Sequence, residues 1–267
     1  MEFRVDHSEP AGLAYRVDGD GPDLILLHAN PGDARDFDPI VPALAARYRV
    51  WRLDWPGYGD SVPPAQPSAL RITDLLAALK RFIDAHALQR PCLVGNSLGG
   101  NVAVRWCLAH PHQAQALVLI SSGGFTRVNP LTRAFCRLQG SSALRALQGS
   151  GLTRLYLRRR NPATMAMIHR AGGAQNQAPT RAVAAAIWRQ FNQADHDLRQ
   201  RAEALDCPVL VVGGHHDPVI PPADSRLAAE RIPGAELKLY DCGHAPFAEC
   251  PEVFLADLIP FLQRHVR

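Results

Sequence analysis

Six short apolar runs, separated by amphipathic helical patterns, most constrain what this chain can fold into. The runs occupy residues 24–28, 49–54, 92–95, 117–121, 208–212 and 236–240. Runs of this length, bounded by glycine and proline, predict buried strands. Helical patterns with apolar residues at spacings of three and four occupy residues 35–48, 68–88, 98–110, 222–231 and 253–266. The alternation predicts an α/β fold: a mostly parallel, doubly wound sheet with helices on both faces.

The alternation is interrupted once, between residues 123 and 201. This stretch has no strand-like run, and breakers such as Gly149-Ser150-Gly151 and Asn161-Pro162 divide it into short helical patterns. We therefore predict a core of residues 1–122 and 202–267 with a helical lid, residues 123–201, inserted into it. Residues 3–5 and 13–17 predict an additional antiparallel hairpin.

Composition limits the class of protein. A chain of 267 residues with 47% hydrophobic and 20% charged residues can bury a large core and is not intrinsically disordered. No apolar stretch reaches 18 residues, so no membrane span is expected. Residues 1–10 lack the apolar centre of a secretory signal. The six cysteines form no C-x-x-C pair, which argues against a zinc ribbon or redox motif. We interpret the chain as cytoplasmic.

Charge is distributed unevenly along the chain. Residues 124–201 contain 13 arginines and two acids, a balance of +11, whereas the remainder has a balance of −7. One interpretation is a solvated helical surface, because arginine is a good helix former. The other is a positive rim around a binding cleft. Nucleic-acid binding is not expected, since no recognisable module accompanies the arginines and the rest of the chain is acidic.

The sequence GNSLGG at residues 95–100 fits the pattern G-x-S-x-G between a predicted strand and a predicted helix. A sharp turn there would strain the backbone of Ser97, and its neighbours must be small for the helix to pack closely. The helix dipole and the free N–H of Leu98 would favour a developing negative charge. The alternative is a serine that only caps the helix. We expect Ser97 to be a nucleophile.

A serine nucleophile needs a base and an acid that orients the base. His244 follows the last predicted strand, where catalytic groups collect in open α/β sheets. Asp217 follows the preceding strand in a loop before Pro218, and we expect it to bind the imidazole of His244. Asp224 is the competing acid, but its position predicts the start of a helix.

The remaining parts of such a site are backbone donors for an oxyanion. We expect one from Leu98 and the other from Asn30, with Ala29 as the alternative to Asn30. The neighbouring His215 and His216 suggest a metal site, but adjacent side chains diverge and no further Cys or His completes a tetrahedral set. No metal and no cofactor are expected.

Together these motifs resemble the α/β-hydrolase superfamily over nearly the whole chain. GNSLGG is similar to the family's nucleophile elbow, DCGHAPFAECPE to its histidine segment, GGHHDPVIP to its acid loop and LHANPG to its oxyanion loop. The sequence DWPGYGDS is similar to its D-x-P-G-x-G-x-S turn. The lid has no match. Ala29 replaces a usual glycine, and Ser97 replaces the aspartate of dehalogenases and epoxide hydrolases, which argues against those activities.

The resemblance implies a cofactor-free serine hydrolase that cleaves a carboxylic ester of a small molecule through an acyl-enzyme. Three alternatives remain open. The asparagine before Ser97 is also typical of carbon–carbon hydrolases, which act on ring-cleavage diketone acids. In that case Arg189, beside Trp188, would bind the carboxylate of the substrate. An acidic carrier protein could present the ester to Arg158, Arg159 and Arg160. The chain could instead be a ligand receptor that keeps the fold and the three candidate residues but hydrolyses its ligand at a negligible rate.

The substrate itself is not predicted by the sequence, and neither is the oligomeric state. Lid side chains are expected either to line the substrate pocket or to pack the lid onto the core. These residues are Phe125, Phe135, Leu138, Met165, Met167, Trp188 and Phe191.

Overall fold

A computed structural model of the protein describes residues 2–6 and 13–267, with an eight-stranded sheet at its centre. The strands are β1 (Glu2–Asp6), β2 (Leu13–Asp18), β3 (Asp23–Leu27), β4 (Arg49–Leu53), β5 (Cys92–Asn96), β6 (Leu117–Ile120), β7 (Val209–Gly214) and β8 (Glu236–Tyr240). Their order is β1-β2-β4-β3-β5-β6-β7-β8. β2 pairs antiparallel with β1 and β4, and the other described pairs are parallel. The predicted sheet and hairpin are confirmed.

Side chains along the central strands alternate between two buried layers. In β3, Ile25 and Leu27 pack into one core, whereas Leu24 and Leu26 pack into the other, and all four are fully buried. Each such side chain stabilises the fold by about 2 kcal/mol. The strands are apolar at nearly every position because neither face of the central sheet meets solvent.

Helices cover both faces. They are α1 (Val41–Ala45), α2 (Ile72–Ala85), α3 (Leu98–Ala109), α4 (Pro130–Gln139), α5 (Ser142–Gln148), α6 (Gly151–Tyr156), α7 (Pro162–Asn176), α8 (Ala178–Gln190), α9 (Pro222–Arg231), α10 (Pro246–Glu249) and α11 (Pro251–His265). Side chains of α2, α3 and α9 pack into the first core, and those of α1 and α11 into the second.

The helix predicted over residues 35–48 is wrong. A 3-10 helix, Ala34–Phe37, and the short α1 take its place. Pro39 lies between them. Proline has no N–H to donate within a helix, and its ring clashes with the carbonyl group four residues before it. The apolar spacing suggested one continuous helix because side chains on both sides of Pro39, such as Phe37 and Leu44, pack into the same core.

The five helices α4–α8 lie between β6 and β7, where the sequence predicted a helical insertion. Val183 of α8 packs into the first core and Met167 of α7 into the second. The insertion thus buries its apolar side chains against the sheet domain, not around a core of its own. The exact division at residues 123 and 201 stays a prediction.

Two expectations from composition concern thiols and membranes. All six cysteines are buried free thiols. None of the helices in the described part of the chain is long and apolar enough to cross a bilayer. The expectation that residues 1–10 form no secretory signal lies mostly outside the described residues and stays a prediction.

The parallel strands carry the candidate residues to one edge of the sheet. The carboxyl ends of β3, β5, β7 and β8 lie there, and they lead into the loops of Asn30, Ser97, Asp217 and His244 respectively. This is the edge at which ligands bind in open α/β sheets.

Candidate active site

Ser97 forms the turn between β5 and α3. Its φ of 53° and ψ of −106° are rare for a residue with a side chain. The side chain makes no capping hydrogen bond to the helix, so capping does not explain the serine. Its neighbours hold it in place, because the Ser97 N–H donates to the carbonyl of Ile120 at 2.9 Å. Backbone strain of this kind is characteristic of functional sites.

Gly99 explains why the turn requires glycine. A Cβ at this position would lie 2.1 Å from the carbonyl oxygen of Leu27 in β3. Because backbone atoms cannot move aside as a side-chain end can, a larger residue would push α3 away from the sheet. This close approach holds the start of α3 against the strand that leads into the Asn30 loop.

Asp217 and His244 form a buried pair. Asp217 Oδ2 lies 2.6 Å from His244 Nδ1, and both side chains are at most 4% exposed. Asp217 Oδ1 accepts the N–H groups of Val219 at 2.9 Å and Ile220 at 3.0 Å. A carboxylate held in this way accepts a hydrogen bond from the N–H at Nδ1 of His244. In a neutral imidazole, Nε2 then has no proton and can accept one. The pair therefore has the polarity of an orienting acid and a base.

The competing acid, Asp224, lies in the first turn of α9, as the sequence predicted. Its carboxylate accepts a hydrogen bond from Thr126 Oγ1 at 2.6 Å. Asp224 therefore binds the start of the lid, whereas Asp217 binds the imidazole.

Asn96 joins the Ser97 turn to the His244 loop. Its buried Nδ2 donates to the carbonyl of His244 at 3.2 Å and to that of Ile120 at 3.0 Å. The asparagine before Ser97 thus has a role in assembling the site whatever the substrate. Sequence reasoning had used it only as a sign of substrate type.

The His244 loop is also held by the lid. The N–H of His244 donates to the carbonyl of Tyr156 at 3.0 Å, and the two rings lie 5.0 Å apart. The structure also shows why residue 243 is glycine. A Cβ there would lie 2.1 Å from the Tyr156 carbonyl oxygen, so only glycine allows the loop and lid to approach this closely.

Glu249 is a residue that sequence reasoning missed. Its carboxylate is buried and accepts four backbone N–H groups: Gly243 at 3.0 Å, Ala245 at 3.2 Å, and Arg158 and Arg159 at 2.8 Å each. It therefore ties both sides of His244 to the lid. The signal was an acid within the otherwise apolar segment APFAEC.

Replacing Glu249 should destabilise the protein. In Glu249→Gln the amide nitrogen cannot accept, so at least one buried N–H loses its partner, and a charge-assisted set of bonds is weakened. We expect the free energy of unfolding to fall by about 2 kcal/mol, measured by chemical denaturation. Glu252→Gln, at an exposed acid of α11, is the matched control and should change it little. Equal stability of both variants would contradict this role.

The loop that follows β3 contains Asn30, the predicted oxyanion donor. The Asn30 side chain is engaged, because its Oδ1 accepts from Tyr58 Oη at 2.8 Å and its Nδ2 donates to the Ala184 carbonyl at 3.2 Å. The backbone N–H groups of Asn30 and Leu98 donate to no group in the described part of the chain. Their roles as oxyanion donors, and Ala29 as the alternative, stay predictions.

His28 makes this loop rigid, and sequence reasoning missed it. Its Nε2 accepts the Trp55 N–H at 3.0 Å, so Nδ1 carries the proton and donates to the Ala29 carbonyl at 2.7 Å. Burial lowers the pKa of His28, which keeps the ring neutral. Trp55 Nε1 donates in return to the His28 carbonyl at 3.1 Å.

A pocket opens at Ser97 beneath helices α4 and α8. Its wall is mainly apolar, with a few polar side chains. It is formed by Ser97, Gly123, Thr126, Val128, Thr132, Phe135, Cys136, Trp188, Phe191, His196, Val219 and Ile220. A cavity of this kind suits a mostly apolar part of a small molecule.

The structure places the predicted substrate-binding residues differently from one another. Trp188 lines the cavity at Ser97. Arg189 does not: its guanidinium donates to the carbonyls of Gly140 and Ser68, each at 2.8 Å, and braces the outside of the lid. Phe125 is fully buried in the first core. The structure therefore does not bring Arg189 and Phe125 to the cavity at Ser97, because helix rotation and chain path, which the sequence does not reveal, direct these side chains elsewhere.

The other apolar lid residues also separate. Phe135 and Phe191 line the cavity at Ser97, Met167 lines a second cavity, and Leu138 and Met165 are exposed.

The second cavity, lined in part by Pro31 and Gly32 of the loop that follows β3, is more polar. Asp33, Asp36 and Arg170 contribute to its wall, and Arg170 pairs with Asp33 at 3.2 Å and Asp36 at 2.8 Å. Burial, followed by the charge of Asp33, raises the pKa of Asp36 to about 7. The carboxylate of Asp33 thus balances the charge of Arg170, while a proton shared with this cluster reduces the charge on Asp36.

The run Arg158–Arg160 lies on the exposed surface. Arg159 pairs with Asp241 at 3.4 Å, and Arg160 donates to the carbonyls of Leu157 and Arg154. His216 also pairs with Asp241, at 2.7 Å. Among the described residues no group of three or more His, Cys, Asp or Glu side chains is placed to hold a metal ion.

Comparison with known proteins gives a consistent result. A family model described as the alpha/beta hydrolase fold matches residues 22–251. A pimeloyl-[acyl-carrier protein] methyl ester esterase of Nitrosomonas europaea is 29% identical, over 92% of this chain and 98% of its own. A pyrrolizixenacetamide deacetylase of Xenorhabdus hominickii is 25% identical, over 94% and 95%. The crystal structure of a hydrolase from Pseudomonas aeruginosa PA01 superimposes with a TM-score of 0.84 at 26% identity, covering 98% and 97%.

Proposed function

The chain belongs to the alpha/beta hydrolase fold family, and from that premise we propose that it is a cofactor-free serine hydrolase that cleaves a carboxylic ester. The observation that carries the proposal is the buried Asp217–His244 pair, at 2.6 Å, beside the strained turn that presents Ser97. Esterase-named relatives that align over nearly the whole chain support the same type of reaction.

In the acylation step, Ser97 Oγ attacks the carbonyl carbon of the ester while His244 Nε2 accepts the hydroxyl proton. The new oxyanion accepts hydrogen bonds from the N–H groups of Asn30 and Leu98. Neither N–H group donates to another group among the described residues. The tetrahedral intermediate collapses, the C–O bond of the leaving group breaks, and His244 returns the proton to the departing alcohol. The acyl group remains on Ser97.

In the second step, water attacks the acyl-enzyme and His244 Nε2 accepts a proton from it. As the second intermediate collapses, the bond between the acyl carbon and Ser97 Oγ breaks, His244 returns the proton to Oγ, and the carboxylic acid is released. Asp217 keeps the proton of His244 on Nδ1 before each transfer and stabilises the imidazolium that forms during it.

An ester presented on a carrier protein is a second candidate. The relative from Nitrosomonas europaea is named for a substrate of that kind, and the exposed Arg158–Arg160 run could bind an acidic carrier. Electrostatic docking would make hydrolysis of a carrier-bound ester, but not of a free ester, fall steeply with added salt.

The proposal is tested with p-nitrophenyl esters of rising acyl length, together with one ring-cleavage diketone acid. We expect turnover of the esters, and labelling of Ser97 by a fluorophosphonate that mass spectrometry locates on its peptide. Turnover of the diketone acid alone would replace ester hydrolysis by carbon–carbon cleavage. No turnover and no labelling would favour a receptor, and would contradict the proposal.

A further inference from the structure

His196 is a second histidine in the cavity at Ser97, and the mechanism above does not use it. It follows α8 in a short 3-10 helix, Ala194–His196, and lines the cavity together with Ser97. A Cβ placed on Gly123 would lie 3.4 Å from Cε1 and Nε2 of His196 and 3.5 Å from the Ser97 carbonyl oxygen. This edge of the imidazole therefore faces the nucleophile turn.

A chain of hydrogen bonds behind His196 determines which ring nitrogen carries the proton. Arg105 is buried and pairs with Asp195 at 2.9 Å, while its Nε donates to Asn101 Oδ1 at 2.8 Å. Because a guanidinium can only donate, this bond fixes the orientation of the Asn101 amide. Its Nδ2, which has two hydrogens, then lies 3.4 Å from His196 Nδ1 and 3.5 Å from the carbonyl oxygen of His196.

An amide nitrogen can only donate, so Nδ1 of His196 must accept, and the proton of a neutral ring lies on Nε2. The ring is neutral at working pH, because burial, followed by the charge of Arg105, lowers the pKa of His196 to about 3. Nε2 has no hydrogen-bond partner among the described residues. Phe191 packs on the ring with centroids 4.6 Å apart and fixes its plane.

We propose that the Nε2–H of His196 binds an uncharged acceptor oxygen of the substrate, such as an ether or carbonyl oxygen remote from the reacting ester group. The surrounding wall is mostly apolar, from side chains such as Val128, Phe135 and Ile220. Trp188 of the same wall has a buried indole N–H that also lacks a partner among the described residues, so the pocket offers neutral donors and no free cation. Such a wall favours a neutral acceptor, whereas a carboxylate would lose its hydration without meeting a cation. Arg105 cannot serve as that cation, since it is paired with Asp195 and Asn101.

This inference rests on the proposed function and names the substrate class: esters in which the part bound at Ser97 is apolar with one neutral oxygen. The test compares p-nitrophenyl hexanoate with analogues in which an ether oxygen replaces one methylene at successive positions. For each enzyme the measured quantity is the ratio of kcat/KM between an analogue and hexanoate. Both values of kcat/KM in a ratio come from the same enzyme sample, so a loss of folded enzyme does not affect the ratio. The same two esters are used with each enzyme, so their intrinsic reactivities do not affect the comparison of ratios between enzymes.

Two variants separate hydrogen bonding from packing. His196→Phe keeps the ring but has no donor, and His196→Gln supplies an amide N–H near the position of Nε2. For at least one position of the ether oxygen, we expect the ratio to fall three- to tenfold in His196→Phe, about the value of one neutral hydrogen bond, and to recover in His196→Gln. His169→Phe, at an exposed histidine of α7, should leave the ratio unchanged.

Equal ratios in the wild type and His196→Phe at every position would overturn the assignment of His196 while leaving ester hydrolysis intact. Absence of Ser97-dependent turnover with every ester, hexanoate included, would overturn the proposed function and the role of His196 with it.

Discussion

Ser97→Ala should lower kcat for the preferred ester by about 10⁴- to 10⁶-fold, with little change in KM. The hydroxyl is the only group that can form the acyl-enzyme in the proposed reaction, and water held by His244 is a poor substitute. The fold should not change, because the Ser97 side chain does not cap α3 and alanine occupies the same space. Steady-state kinetics with thermal unfolding of the same samples checks both expectations.

The control for this variant is Ser225→Ala. Ser225 is also a buried serine, and its hydroxyl has no partner among the described residues, but it lies in α9. We expect its kcat to match that of the wild type. If Ser97→Ala kept more than about one per cent of activity, far above the residual expected without a nucleophile, the acyl-enzyme mechanism would have to be abandoned.

Asp217→Asn should lower kcat by about 10⁴-fold. The asparagine Oδ1 can still accept the N–H groups of Val219 and Ile220, so its Nδ2 would face His244. Since that nitrogen donates, His244 Nδ1 must accept, and the proton moves to Nε2. The base would then carry a proton on the nitrogen that must accept one from Ser97.

Asp224→Asn distinguishes the two acids. Asp224 accepts from Thr126 and should change kcat by much less, since an asparagine oxygen can accept the same bond. The proton position in Asp217→Asn can be read from ¹⁵N chemical shifts of the imidazole. A larger loss of activity in Asp224→Asn than in Asp217→Asn would reverse the assignment.

The strands were predictable because their signal is local. The central strands β3, β5, β6 and β7 are apolar at nearly every position, and the segments that bound them contain glycine or proline. The strands β4 and β8 mix apolar and charged residues. The break in the predicted helix at Pro39 was missed because apolar residues continue at helical spacing on both sides of it. A proline inside such a pattern nevertheless indicates a break.

The lid was less predictable than the core. Its helices were expected, but the directions of their side chains were not. Trp188 and Arg189 are adjacent in α8, yet one faces the cavity and the other braces the surface through two carbonyls. A helix turns by about 100° per residue, so an error of one residue in its rotation about its own axis exchanges the two roles.

The sequence by itself determined the fold class and the candidate nucleophile, acid and base, because each follows a strand, and parallel strands end at one edge of the sheet. Only the tertiary structure decided what surrounds them. Glu249, His28 and His196 gain their roles from partners such as Arg158, Trp55 and Asn101, most of them far away in the chain. The orientation of an amide and the position of a proton depend on such contacts, and no local pattern records them.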